Sequence, residues 1–334
     1  MGSDAPALSG DKGEVLVTAV PTTRDWSLST NASGSIQSDN QMTTEVVLTG
    51  TGVPRPAARR AGAGTLVRSG DVSIQFDAGR GTVMRLVEAG THPSQLAALF
   101  VTHVHSDHVI GIPDVTMTRW LQKNVASCPP LPIVTPAGSS ERFIQRMLDP
   151  FDEDIALRMA HLQQNGPEFQ LTTFSPSTQP EEVWTSTEGS VTVSAVAVHH
   201  EPVDAVAYKV TTPDGAIVVS GDTIVCDEIE RLCAGVDVLV HEACRSTAMS
   251  ELIAGTTFET IFSYHADTVA LGAMVQRTGV PHLVLTHLIP GPETPEDAMG
   301  FEEDVRQGGY AGRVTVGEDL TNITIGTEAE FSGP

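Results

Sequence analysis

"LAALFVTHVHSDHVIG", residues 96–111, decides how this chain is read. An apolar run suited to a buried strand ends in a loop that packs His103, His105, Asp107 and His108 into six positions. In extended chain the side chains at i and i+2 point the same way, so His103 and His105 can grip one ion from a strand end. Asp107 and His108 are adjacent and must lie on a turn to aim at a common point, where they can hold a second ion close by. Imidazole and carboxylate without thiolate form the donor set of catalytic zinc.

Two ions need further ligands, and these should end other strands. "VTVSAVAVHHEPV" (191–203) closes on His199 and His200, "AIVVSGDT" (216–223) on Asp222, and "HLVLTHL" (282–288) on His287. Each alone is an ordinary polar rim residue. At four successive strand ends they point to one shared site.

Around these ends, β-branched runs alternate with helical patterns. "GTLVRSGDVSIQFDAG" reads as a hairpin turning at "SGD", and "GTVMRLVEAG" as a helix closed by Gly90. The stretch 139–162 is helical with a break at Pro150, residues 173–189 read as a polar excursion, and a second hairpin turns at "PDG". Strands come in runs as well as alternating with helices. That favours two packed sheets with helices outside over a single doubly wound sheet. Residues 1–43, rich in Ser, Thr, Asn and Asp with one strand-like stretch "EVLVTAV" (14–20), form an N-terminal arm, and 44–334 one catalytic domain.

The formal charge is −23 with only three lysines, which disfavours nucleic acid as a partner. Arg55, Arg59 and Arg60 form the one basic patch, read as a solvated loop with the capacity to hold an anion. No stretch approaches the roughly 20 apolar residues of a membrane span. There is no signal-peptide pattern, and the four cysteines show no C-x-x-C pair, so reduced thiols in a cytoplasm are expected.

In the order "LTGTGVPRP", "FDAGRGT", "THVHSDH", "VHHEPV", "SGDT", "VHEA", "LTH", residues 45–320 resemble the metallo-β-lactamase superfamily. The resemblance is to its ribonuclease Z-like and arylsulfatase-like branch, which also includes an aryl dehalogenase, chlorothalonil hydrolase. It implies an α/β fold, the αββα four-layer sandwich of two mixed sheets with helices outside. It also implies two Zn2+ per chain, with Mn2+ or Fe as substitutes: His103, His105 and His200 on one ion, Asp107, His108 and His287 on the other, and Asp222 bridging. His200 rather than His199 follows from the family pattern, in which the ligand stands two residues before the proline, here Pro202. Asp77 in "FDAGRG", with His241 and Glu242 in "VHEA", would support the ligands by hydrogen bonds. Asp107 would orient the attacking hydroxide, and His265 in "YHAD" would donate a proton to the leaving group. Trp120, in "TMTRWLQ", is expected to line a substrate pocket.

The leading expectation is a dinuclear zinc hydrolase of a small molecule: a sulfate ester, phosphodiester, lactone, aryl ester or aryl halide. A homodimer without membrane attachment is expected. The alternatives are a ribonuclease Z-like endonuclease acting at RNA 3′ ends, a hydrolytic dehalogenase of a chlorinated aromatic, and a non-enzymatic metal-dependent binding protein. Against the nuclease stands the absence of a basic arm, since only 21 residues separate His200 from Asp222.

Overall fold

The computed structural model describes residues 43–123 and 128–326. The arm expected over 1–43, with its strand-like stretch 14–20, lies outside the described residues except for residue 43.

The first sheet takes its strands in sequence order: β1 (Thr44–Gly50), β2 (Gly64–Ser69), β3 (Val72–Phe76), β4 (Ala98–Phe100), β5 (Leu131–Pro136) and β6 (Phe169–Phe174). The second holds β7 (Glu181–Thr185), β8 (Thr192–His200), β9 (Val203–Thr212), β10 (Gly215–Val219), β11 (Val238–Cys244), β12 (His282–Ile289) and β13 (Arg313–Val316). The last described strand, β14 (Asn322–Ile325), returns to pair antiparallel with β1 and completes the first sheet. In each sheet the antiparallel hairpin strands give way to parallel ones, at β3–β4 in the first and β10–β11 in the second.

Both faces of the central strands are apolar, and this forces four layers. On β9 and β10, Val206, Tyr208, Val210, Ile217 and Val219 face the first sheet's Val67, Ile74, Phe76 and Phe100. The alternate residues Ala205, Ala207, Ala216 and Val218 pack under α6 (Asp227–Leu232), α9 (Thr268–Thr278) and α10 (Pro295–Gln307). Strand periodicity of two thus sends one set inward to the partner sheet and the other outward to helices. The first sheet's outer face is covered by α1 (Thr82–Glu88), α3 (Ile112–Gln122) and α4 (Ser139–Arg146), through Leu86, Ile112, Val115 and Ile144. The expected αββα sandwich is the fold observed.

The hairpins at "SGD" and "PDG" form as read, and Gly90, at φ 78°, closes α1. The helical stretch breaks at Pro150 into α4 and α5 (Asp152–Leu162). The polar excursion instead contributes β7, an edge strand of the second sheet, and its first two residues end β6, an edge strand of the first. Edge strands bury little, so their sequence lacks the apolar alternation that marks the centre.

Candidate metal centre

Strand ends from both sheets converge on one rim of the sandwich. After β4 the chain passes Thr102 and His103, then turns at His105 into α2 (Ser106–Val109), a single helical turn carrying Asp107 and His108. The second sheet brings His200 at the end of β8, Asp222 just past β10 and His287 on β12. His103, Asp107, His108, His200, Asp222 and His287 are buried and His105 is half-buried.

These residues fall into two overlapping groups. His103, His105, His200 and Asp222 offer ligand atoms all within 4.8 Å of one another, and so do Asp107, His108 and His287. Asp222 stands between them: Oδ1 is 3.3 Å from His108 Nε2, while Oδ2 is 3.7 Å from His200 Nε2, 3.8 Å from His103 Nε2 and 3.3 Å from His287 Nε2. Two ligand atoms about 2.0–2.1 Å from a tetrahedral cation stand about 3.3–3.4 Å apart, so these spacings suit shared cations. The buried atoms His103 Nε2, His108 Nε2 and Asp222 Oδ1 make no hydrogen bond within the protein. His200 Nε2 faces His105 Nδ1 at 3.1 Å. Leaving a buried polar atom unpaired costs about 1–3 kcal/mol. Divalent cations would satisfy the cluster, and the residues present fit them.

Hydrogen bonds on the far side of the rings fix which nitrogen faces inward. Thr102 Oγ1 donates to Asp77 Oδ2 at 2.7 Å, so its lone pair accepts from His103 Nδ1 at 3.0 Å. Asp77 Oδ2 also accepts from His108 Nδ1 at 2.8 Å, and the Tyr264 carbonyl accepts from His200 Nδ1 at 3.1 Å. Each ring therefore has Nδ1 engaged behind it and Nε2 turned to the centre, the orientation a cation needs. Asp77 is itself held at φ 52°, with its carbonyl accepting from Gln75 Nε2 at 2.7 Å.

His287 reaches the centre through a break in register. Along β11 and β12, Glu242 pairs with Thr286 but Ala243 pairs with Leu288, leaving His287 as an extra residue with φ 43°. Leu283, Leu285 and Leu288 all pack toward the helices, so the bulge re-aims His287 without disturbing that face. Close backbone approach also matters at Gly79, where a Cβ would run into the Asp107 carbonyl.

The electrostatics follow from burial and neighbours. Burial, reinforced by His108, holds the His103 imidazole well below its usual range, and burial together with His200 lowers His105. Burial works against the charged forms of Asp222 and Asp107, yet the facing histidines keep both carboxyls below their usual range. His108 is disfavoured by burial too, but Asp222, Asp107 and Asp77 raise it well above normal.

Beside the centre lies a second carboxylate–histidine pair. Glu242, fully buried at the end of β11, accepts from the Thr223 amide at 2.8 Å and stands 3.0 Å from His265 Nδ1. Burial opposes the charge on His265, but Glu242 outweighs it and moves its pKa up to about 9. Asp222, His265 and His287 also lie within common reach.

The expected site residues are thus placed as follows. The seven proposed ligands and His265 come together, with Asp77 and Glu242 behind them. His199 points outward to Glu228 at 3.2 Å, while His200 turns in. His241 is buried, with Nδ1 2.7 Å from the Glu242 carbonyl oxygen. Trp120 requires a correction: it is 1 % exposed in α3, with its indole N–H donated to the Asn165 carbonyl at 2.7 Å. A ring enclosed in this way has no face left for substrate. Thr102 and Tyr264 were not foreseen. Thr102 directly precedes His103 in the motif, which is a usable signal, whereas Tyr264 acts through a carbonyl that every residue carries.

Of the basic patch, Arg55 and Arg59 are exposed, and Arg60 is half-buried with its guanidinium donating to Thr51 Oγ1 and the Gly317 carbonyl. Among the described residues no helix is long and apolar enough to cross a membrane.

Comparison with known proteins agrees with this fold. Residues 73–288 match the Beta-lactamase superfamily domain. Ribonuclease Z of Mycobacterium bovis (strain BCG / Pasteur 1173P2) is 34% identical over 292 residues, covering 84% of this chain and 98% of that protein. Ribonuclease Z of Mycobacterium sp. (strain KMS) is 36% identical over 291 residues, covering 84% and 96%. Among solved structures, the metallo-beta-lactamase fold protein YhfI from Bacillus subtilis superposes with a TM-score of 0.64 at 21% identity, covering 84% of this chain and 99% of that one. Human tRNase Z, short form, gives 0.61 at 21% identity with the same coverage. These relatives overturn the expectation, drawn from net charge, that nucleic acid is a disfavoured partner. Net charge sums the whole surface, whereas a bound strand meets only the local field at the site.

Proposed function

Because the chain belongs to the beta-lactamase superfamily and is a metal-dependent hydrolase, we propose that it is an endonuclease of the ribonuclease Z kind, cutting a phosphodiester near RNA 3′ ends. The observation that carries the substrate class is its likeness, over nearly their whole length, to relatives named ribonuclease Z. The chemistry rests on the buried His and Asp cluster with the His265–Glu242 pair at its side.

His103, His105 and His200 would hold one cation, Asp107, His108 and His287 the other, and Asp222 both. We take the ions to be zinc, whose catalytic sites favour these nitrogen and carboxylate donors. When bound, two such cations make water a competent nucleophile near neutral pH and offset charge building on the phosphate. Asp107 orients the attacking water and takes up its hydrogen bond. Glu242 holds the proton of His265 Nδ1, so that Nε2 presents a second proton to the leaving ribose oxygen. Its raised pKa keeps that proton in place at neutral pH. Burial of the cluster excludes bulk water from these polar contacts, which strengthens them.

The test is incubation of the metal-loaded protein with transfer RNA precursors carrying a 3′ extension, beside a panel of chromogenic phosphodiesters, sulfate esters and aryl esters. Site-selective cleavage of the precursor, lost in Asp107→Ala, is the expected result. Rapid turnover of a small ester with no precursor cleavage would overturn the RNA assignment.

A further inference from the structure

At the outer rim of the centre a different donor set converges. His199, Cys226 and Glu228 offer an imidazole nitrogen, a thiol sulfur and a carboxylate oxygen within 4.8 Å of one another. Alternation along β8 is what separates His199 from its neighbour: His200 turns inward and His199 outward. Cys226 precedes the first turn of α6, and Glu228 lies within that turn.

The backbone beneath them is already laced together. Thr223 Oγ1 accepts from the His199 amide at 3.2 Å and lies 3.8 Å from Cys226 Sγ, while the Ile224 amide donates to the His199 carbonyl at 3.1 Å. Arg231 occupies Glu228 Oε1 at 3.0 Å, which turns Oε2 toward His199 Nε2 at 3.2 Å. The three donors are thus fixed by neighbours and not brought together by free side chains alone.

We propose that His199, Cys226 and Glu228 form a third cation site, separate from the paired centre, for a thiophilic divalent ion such as zinc, cadmium or cobalt. One thiolate, one imidazole and one carboxylate leave the fourth tetrahedral position to solvent, so the ion exchanges with the medium. Binding deprotonates the thiol: the cation gains a bond to sulfur and the proton leaves to buffer. Through Thr223 and the His199 backbone, the bound ion is joined to the chain segments that carry His200 and Asp222.

Cobalt(II) titration of the chelator-stripped full chain tests this, because the paired centre contains only nitrogen and oxygen donors. A sulfur-to-cobalt charge-transfer band in the near ultraviolet therefore belongs to the rim site. The expected result is a band that saturates with one equivalent and vanishes in Cys226→Ser together with one equivalent of bound cobalt. His199→Ala, at an exposed position, should weaken that equivalent at least tenfold. The three remaining cysteines stay in Cys226→Ser as internal controls: Cys233 and Cys244 are buried, with thiols pushed up to about 12, and Cys128 is half-buried with its thiol 3.8 Å from the Arg119 carbonyl. Absence of the band, or its survival in Cys226→Ser, would overturn the proposal. Failure of the paired centre would show separately, as loss of the equivalents that give no sulfur band.

Discussion

Asp77 Oδ2 lies 2.8 Å from His108 Nδ1 and accepts a 2.7 Å hydrogen bond from Thr102 Oγ1. A single carboxylate oxygen therefore sets the ring orientation of His108 directly and of His103 through the threonine hydroxyl. These two histidines belong to different halves of the cluster. Asp77→Asn replaces one acceptor oxygen with a donor and should lower metal affinity by about 10–100-fold. Competition with a coloured chelator reads the affinity, and both equivalents should weaken.

Asp222 faces both halves, Oδ1 toward His108 and Oδ2 toward His103, His200 and His287. Asp222→Ala should leave the fold intact but reduce the metal held at the buried centre by at least one equivalent, measured by elemental analysis after gel filtration. Unchanged content would sink the bridging assignment.

His265 should matter in proportion to how badly the leaving group needs a proton. His265→Ala is expected to slow RNA cleavage by about 10²–10⁴-fold and to leave nitrophenyl phosphodiesters nearly untouched. The sign of the pH effect follows from the raised value. The protonated, donating form dominates below about 9 and is lost as pH rises through it. Glu242→Gln removes the charge that raises it, so the alkaline limb of the rate profile should move to lower pH.

Trp120→Ala removes an enclosed side chain and should destabilise the fold by about 3–5 kcal/mol in denaturant unfolding. Activity per folded molecule should change little, in contrast to a substrate-lining residue.

The sheets and the seven proposed ligands were legible because they leave local marks. β-branched runs define central strands, and a buried strand has few reasons to end on histidine or aspartate. The resemblance to a family supplied what spacing alone left open, the choice of His200 over His199 and the roles proposed for Asp77, Glu242 and His265. Trp120 misled because proximity to His108 in sequence says nothing about which face of α3 it occupies, and that face is the core. Strands β6 and β7 escaped notice because edge strands need no continuous apolar side. Helices α7 (Ser246–Ile253) and α8 (Thr257–Phe262) escaped for a related reason, since neither has a buried residue. The charge argument failed on scale: a sum of −23 over the molecule does not describe the surface a strand would meet.

The ligands are divided by chain as well as by sheet. His103, His105, Asp107 and His108 precede the link between Phe174 and Glu181, and His200, Asp222 and His287 follow it. A cut in that link would yield two fragments, neither of which holds a complete ligand set. Reassembly would have to bring the sheets face to face and restore β14 beside β1 before either ion found its full set of donors. Metal uptake at the paired centre, which gives no sulfur band with cobalt, would then serve as a split reporter, silent in each fragment and regained only on correct docking.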